Sequence, residues 1–381
     1  MTEWIVVCVL AALALVWLIG AFFLRGADLH LFDNPDSPEN LKNLTSGTGH
    51  AYWQRFASGN TPNAEHQAVL ASLGGITTLL HGTPRAQHLG LLRQYMDNMA
   101  KDRHFAVQFT PVNVLGMAAE WVQAPGADSS RRTLYIHGGA WIMGSPRSHR
   151  AITARFAEIT GGAVLAIDYR LMPEHPRRVG IEDCRRAYCW MLVHGPNTLE
   201  AASAVFIAGD SAGGNLALVL MAWVRDQRLR APDAVVALSP ATDGTLDSPS
   251  LRANLATDPM LGPLFGKLIR VPRSALLWLS WLSNRMRPNH PLISPVFGDL
   301  SGLPPTLIQA SDSEMLRDDS VRYTHKARAA GSPVTLQTWD RMVHVWHIFD
   351  PDLSEARQGF EEIRIFLEHA CPALRHDKQV V

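Results

Sequence analysis

The chain has 381 residues, with 35 Lys and Arg against 35 Asp and Glu, and a neutral chain offers no basic field to displace counterions from a phosphate backbone, so nucleic acid is not expected as a partner. Hydrophobic residues make up 47% and charged residues 18%, against roughly 25% charged in an average soluble domain, which excludes disorder as the main state and points to a large core with some membrane contact. Cys8, Cys184, Cys189 and Cys371 are too few for a disulfide framework and lack the spacing of a metal site, so they read as small buried hydrophobes, and neither metal nor cofactor is expected.

The first element is the uncharged run from Trp4 to Leu24. As a helix rising about 1.5 Å per residue it spans roughly 31 Å, one hydrocarbon core. The chain begins Met1-Thr2-Glu3 without a basic region, and the run closes on Phe22-Phe23-Leu24-Arg25 without a small-x-small cleavage site. An uncleaved membrane anchor over 1–30 is therefore expected. Arg25 and Lys42 follow it, which by the positive-inside rule leans the remainder toward the cytoplasm. A polar tether over 31–49 comes next, turn-rich from Asp33 to Gly49. The triplet Asn43-Leu44-Thr45 fits a glycosylation sequon but carries no functional weight.

The globular part is expected from 50 to 381. Thr133 to Ile136, Ala163 to Ile167, Ala204 to Ala208, Ala234 to Leu238, Thr306 to Ala310 and Val334 to Thr338 read as strands. Between them Arg150 to Thr160, Ile181 to His194, Asn215 to Gln227 and Asp319 to Ala330 read as helices. Such alternation argues an α/β fold, a mostly parallel sheet with helices on both faces. Residues 50–104, helical in character with no strand, and 245–290, carrying Trp278 and Trp281, break the rhythm and are expected to cap one end of the sheet. The two Trp residues suit either helix packing or a substrate wall.

Chemistry concentrates in Gly209-Asp210-Ser211-Ala212-Gly213, a G-x-S-x-G motif directly after one expected strand and before one expected helix. That context places the Ser211 hydroxyl on a sharp turn at the carboxyl end of the sheet, as a nucleophile needs. His137-Gly138-Gly139-Ala140-Trp141 follows the strand ending at Ile136. Acyl transfer passes through an oxyanion that preorganised amides stabilise, and the amides of Gly138, Gly139 and Ala212 are the expected donors.

At these residues the chain resembles the hormone-sensitive-lipase-like family of α/β-hydrolases, the bacterial serine carboxylesterases. The resemblance covers roughly 100–370 and rests on HGGAW (137–141), DYRLMPEHP (168–176), GDSAGG (209–214), SDSEMLRDDS (311–320) and MVHVW (342–346). Ala140, Met172 and Val345 depart from the usual residues of these motifs. The resemblance implies the chain order Ser, acid, His, which makes His344 the base, with His347 its rival. Asp312, Glu314, Asp318 and Asp319 are candidates for the acid. Aligning Leu316-Arg317-Asp318 with the family's Leu-Arg-Asp favours Glu314, keeps Asp312 as the alternative, and leaves Asp318 and Asp319 as helix caps. His81, His88, His104, His149 and His175 read as surface or capping residues.

The function implied is a serine carboxylesterase acting on short- to medium-chain lipophilic esters, with a small lipophilic ester or lactone as the partner and the membrane held through residues 4–24. A lactone hydrolase would use the same residues. A non-catalytic receptor on this fold would lack the base that His344 supplies.

Overall fold

Runs of Val, Ile, Leu and Ala that alternate with helices can be buried only in the middle of a sheet covered on both faces. In a computed structural model of the chain, which describes residues 2–33, 52–57, 63–80, 82–197 and 199–374, they form one nine-stranded sheet. The strands are β1 (Trp53–Phe56), β2 (Gln108–Val114), β3 (Met117–Gln123), β4 (Asp128–Ile136), β5 (Gly162–Ile167), β6 (Ala204–Asp210), β7 (Ala234–Leu238), β8 (Thr306–Ser311) and β9 (Val334–Trp339). Their spatial order is β1-β9-β8-β7-β6-β4-β5-β3-β2. Seven strands run parallel, while β3 pairs antiparallel with β5 and with β2. Every residue of β5, β6, β7 and β8 is buried.

The helices are α1 (Thr2–Phe23), α2 (Ala64–Leu80), α3 (Arg85–Asn98), α4 (Arg150–Thr160), α5 (Arg177–Met191), α6 (Ala212–Asp226), α7 (Ser250–Ala253), α8 (Leu261–Ile269), α9 (Arg273–Asn284), α10 (Arg317–Ala329) and α11 (Ser354–Ala370). One face of the sheet buries Ile181 and Tyr188 of α5, Leu216 and Leu220 of α6, and Val321 and Tyr323 of α10. The other buries Ile152 and Phe156 of α4 and Phe360, Ile363 and Leu367 of α11. The expected strands and helices are present, each within a few residues of its expected ends.

Three strands were not foreseen. β1 lies within the stretch expected to hold no strand, and pairs parallel to β9 from Trp53 against Leu336 to Phe56 against Trp339. Four residues are too short to show a period, and what holds them is distant in sequence: Phe56 stacks on Trp339 with ring centroids 4.2 Å apart. The β2–β3 hairpin is masked by Pro111, Asn113 and Glu120. Its turn is Leu115-Gly116, with φ of 53° and 92°, the left-handed pair whose twist matches that of the strands.

The chain leaving α1 also differs from expectation. Instead of a free tether from residue 31, a 3-10 turn at His30–Phe32 docks on α10. Phe32 O accepts from His325 Nδ1 at 2.7 Å, and the Asp33 carboxylate pairs with the buried Arg322 at 2.5 Å. The rest of the expected tether, residues 34–49 with the Asn43 triplet, lies outside the described residues, as does His81. Of the cysteines, Cys184 and Cys371 are buried as expected, whereas Cys8 and Cys189 are exposed on the flanks of α1 and α5.

Candidate active site

β6 ends at Asp210 and α6 begins at Ala212, so the single residue Ser211 makes the turn, with φ 52° and ψ −115°. Such a conformation is costly for a residue with a side chain and persists only when its surroundings impose it. They do: Ser211 N–H donates to Leu238 O at 2.7 Å, and Ser211 O accepts from Asn215 N–H at 3.0 Å. The crossing also requires glycine. A Cβ at Gly209 would lie 2.5 Å from Gly213 O, and one at Gly213 would strike the carbonyl of Ile136 on β4.

His344 sits on the loop after β9, with Nε2 2.9 Å from Ser211 Oγ and Nδ1 2.7 Å from Glu314 Oε2. Glu314 is fully buried and also accepts from Ser311 N–H at 3.2 Å. Burial works to lower the His344 pKa, but the hydrogen bond and charge of Glu314 outweigh it and raise it above its ordinary value. Three side chains from three loops at the carboxyl end of the sheet thus form one hydrogen-bonded line. An arrangement of this kind can withdraw a proton from a hydroxyl and return it to a leaving group.

Asp312, the alternative acid, points elsewhere, pairing with Arg317 at 3.1 Å and with the Thr338 hydroxyl at 3.2 Å. His347, the rival base, is buried in the 3-10 turn Trp346–Phe349, with Nε2 2.7 Å from Gln309 Oε1. Asp318 and Asp319 do not cap α10. Asp319 Oδ2 accepts the amides of Thr242 and Asp243 at 2.7 and 2.9 Å, and Asp318 Oδ2 accepts the amide of Ser250 at 2.8 Å. They fasten the loop after β7 and the start of α7 to the first turn of α10, which follows Glu314 in the chain.

The expected set of amides needs one correction. Gly138 N–H donates to Asp210 Oδ1 at 2.9 Å, so it is already spent. Gly139, at φ 113°, and Ala140, at φ 53°, line the same cavity as Ser211, and Ala212 opens α6 beside it, so these three carry the amides that remain as candidates. Asp210 was not singled out in the sequence, although it sits inside the G-x-S-x-G motif. Its carboxylate also accepts from the Tyr135 hydroxyl at 2.5 Å and lies 3.3 Å from His149 Nε2. Burial favours the neutral acid, yet the charge and hydrogen bond of His149 hold the Asp210 carboxyl below its ordinary range. His149, expected as a surface or capping residue, stands at the N-cap of α4, but its side chain is a buried partner in this network and makes no cap hydrogen bond, whereas His104 and His175 are exposed and His88 is half-buried. His137 stacks on Tyr169 with centroids 4.4 Å apart, and burial pushes its pKa down to about 3.

Two apolar cavities meet at Ser211. Leu73, Met96 and Met99 from α2 and the end of α3, together with Met260 and Phe265, line the first. Trp141, Leu251, Leu268, Ile269, Leu276 and Leu279 line the second. Trp278 and Trp281 are among the lining residues of neither.

Residues 133–348 match a family described by the alpha/beta hydrolase fold. An acetyl-hydrolase of Streptomyces hygroscopicus is 38% identical over 259 residues, covering 68% of this chain and 82% of that one. A carboxylesterase/phospholipase, LipF, of Mycobacterium tuberculosis is 34% identical over 272 residues, covering 68% and 69%. Among solved structures, an esterase from the bacterial hormone-sensitive lipase family superposes with a TM-score of 0.71 at 34% identity, over 81% of this chain and 99% of that one. The chain belongs to the hormone-sensitive-lipase-like family of α/β-hydrolases. In this hydrolase α1 to α3, β1 to β3 and the start of β4 precede the matched residues, and α11 follows them.

Proposed function

We propose that this carboxylic ester hydrolase works as a serine esterase on lipophilic esters of short to medium acyl length, with Ser211 as nucleophile, His344 as base, Glu314 as acid, and α1 as its membrane anchor. The observation that carries the reading is the line Ser211 Oγ, His344 Nε2, His344 Nδ1, Glu314 Oε2, with steps of 2.9 and 2.7 Å. Glu314 accepts a hydrogen bond from the protonated Nδ1 of His344, which leaves Nε2 free to take the Ser211 proton as Oγ attacks the ester carbonyl carbon. Charge moves onto the carbonyl oxygen, where the amides of Gly139, Ala140 and Ala212 receive it. As the carbonyl reforms, the bond to the alcohol breaks and His344 returns the proton to it. Water then enters, gives its proton to His344, and releases the acid from Ser211 by the same two steps.

The apolar lining of both cavities supports a lipophilic substrate, since roughly 25 cal/mol is gained per Å² of apolar surface withdrawn from water. The full-length enzyme is expected to hydrolyse p-nitrophenyl esters best at short to medium chain length, measured at 400 nm (about the absorbance maximum of the product) against a parallel series of lactones assayed by pH-stat. Failure to hydrolyse any ester above the buffer rate would overturn the reading, and a preference for lactones over every open ester would move the substrate to the cyclic class.

The apolar stretch Glu3–Phe23 has 21 residues, enough at about 1.5 Å each to cross a hydrocarbon core. Full-length protein is expected to stay with membranes through alkaline carbonate and high salt, because apolar transfer and not charge holds it. Recovery in the wash would sink the anchor.

A further inference from the structure

α9 carries its apolar residues on the wrong side for a helix that only caps a soluble domain. Leu276 and Leu277 are buried, but Val271, Leu279 and Leu282 are 38%, 54% and 64% exposed, and Ala275 is exposed between them. Positions 271, 275, 279 and 282 follow one another at intervals of three or four, so they form one stripe along the helix and the turn before it. Trp281 is 38% exposed beside that stripe and meets Trp278 edge to face at 5.3 Å.

The place of this stripe in the molecule is informative. Trp278 Nε1 donates to Val16 O of α1 at 3.2 Å, and its ring occupies the space that a Cβ on Gly20 would need. Val16 and Gly20 precede the end of α1 at Phe23 by seven and three residues, which is about 10 and 4.5 Å along the axis. If α1 crosses a bilayer, α9 lies beside it at a depth of roughly 5–10 Å, where interfacial amphipathic helices rest. Charge agrees with that depth. From Pro259 to Gly298 the sequence contains Lys267, Arg270, Arg273, Arg285 and Arg287 and no Asp or Glu. Arg273 pairs with Asp247, while the other four are exposed. Trp and cations bordering an exposed apolar stripe are the composition that favours an anionic phospholipid surface.

The same helix forms a wall of the active site. Leu279, Ser280, Ser283 and Asn284 of α9, with Leu268 of α8, line the cavity that reaches Ser211 and Ala212. Leu279 is both half exposed and part of that wall. We propose that the stripe on α9 rests in the headgroup layer of the bilayer that α1 enters, against anionic phospholipid, and that the cavity opens into this layer, so the substrate is an ester resident in the membrane that enters sideways past Leu279. The inference rests on the serine esterase reading and on α1 as an anchor, and it narrows the substrate from lipophilic esters in general to membrane-borne ones.

The test uses the full chain reconstituted in phosphatidylcholine vesicles with and without phosphatidylglycerol, comparing p-nitrophenyl butyrate in solution with a diacylglycerol carried in the vesicles. V271E/L282E changes two exposed residues that line neither cavity. It is expected to cut hydrolysis of the vesicle-borne ester about tenfold or more while leaving the soluble ester unchanged, with the loss greatest on anionic vesicles. In parallel, L282C on a C8S/C189S background carries a small fluorophore, which shallow spin-labelled lipids are expected to quench. Equal loss on both esters, no loss on either, or an unquenched label in an enzyme that turns over the soluble ester would overturn the proposal. A quenched label in a protein that hydrolyses neither ester would instead retire the esterase reading and leave α9 at the membrane.

Discussion

Ser211→Ala is expected to reduce ester turnover by about 10⁶, the scale seen when a triad serine is removed, and to leave the fold unchanged. The two halves of that expectation have separate physical grounds. Turnover falls because the acyl group then has no oxygen to attach to, while the proposed oxyanion donors, the amides of Gly139, Ala140 and Ala212, are untouched and should preserve a residual rate above that of water. Stability persists because the backbone bonds that hold the turn, Ser211 N–H to Leu238 O and Asn215 N–H to Ser211 O, involve no side-chain atom of the serine. The measurement is kcat on p-nitrophenyl butyrate beside the thermal unfolding midpoint of the same sample. A variant that kept more than a few per cent of the activity would remove Ser211 from the role of nucleophile.

Glu314→Gln is expected to lower turnover by about 10⁴ and Asp312→Asn to lower it little. Glutamine keeps the volume of the buried side chain but presents an amide with no charge to hold an imidazolium. It can also donate toward Nδ1, which then favours the tautomer with its proton on the wrong nitrogen. Asp312 holds Arg317 and the Thr338 hydroxyl, away from His344, so its loss touches a partly exposed ion pair, worth about 1 kcal/mol or less.

The pH profile adds a second readout. Catalysis requires neutral His344, whose pKa stands above 6.5 in the wild type because Glu314 more than offsets the effect of burial. The acid limb of kcat/KM should therefore fall above pH 6.5, activity being lost as pH drops through it. In Glu314→Gln the two largest influences opposing burial are gone and only the charges of Asp258 and Asp210 still act against it, so the limb should move to lower pH although the plateau is reduced. Were Asp312→Asn the more damaging change, or the limb unmoved in Glu314→Gln, the acid would have to be reassigned.

The central strands were legible in the sequence because a parallel strand buried on both faces must be apolar throughout, as β5 to β8 are, and that pattern needs no partner to be recognised. Ser211 was legible for a similar reason, since strand, small residues and helix follow one another directly in the chain. The proposed base and acid could be named only through the motifs around them: Glu314 and Asp312 are two residues apart in one polar loop, and nothing local separates them.

What escaped the sequence depends on contacts between distant segments. β1 is a strand because β9 offers it an edge and Phe56 a ring on which to stack. Which amides of the loop 137–141 are free to serve a substrate depends on Asp210, about seventy residues later, whose carboxylate takes Gly138 N–H. The stripe on α9 is, by spacing alone, an ordinary amphipathic face that any cap would bury. Only folding shows that Leu276 and Leu277 fill the interior while Leu279 and Leu282 remain outside, next to a helix of the length that crosses a membrane. Composition along the chain determines which segments can be buried, and the tertiary structure decides which of them are, because burial is a property of pairs of surfaces and a sequence lists those surfaces one at a time.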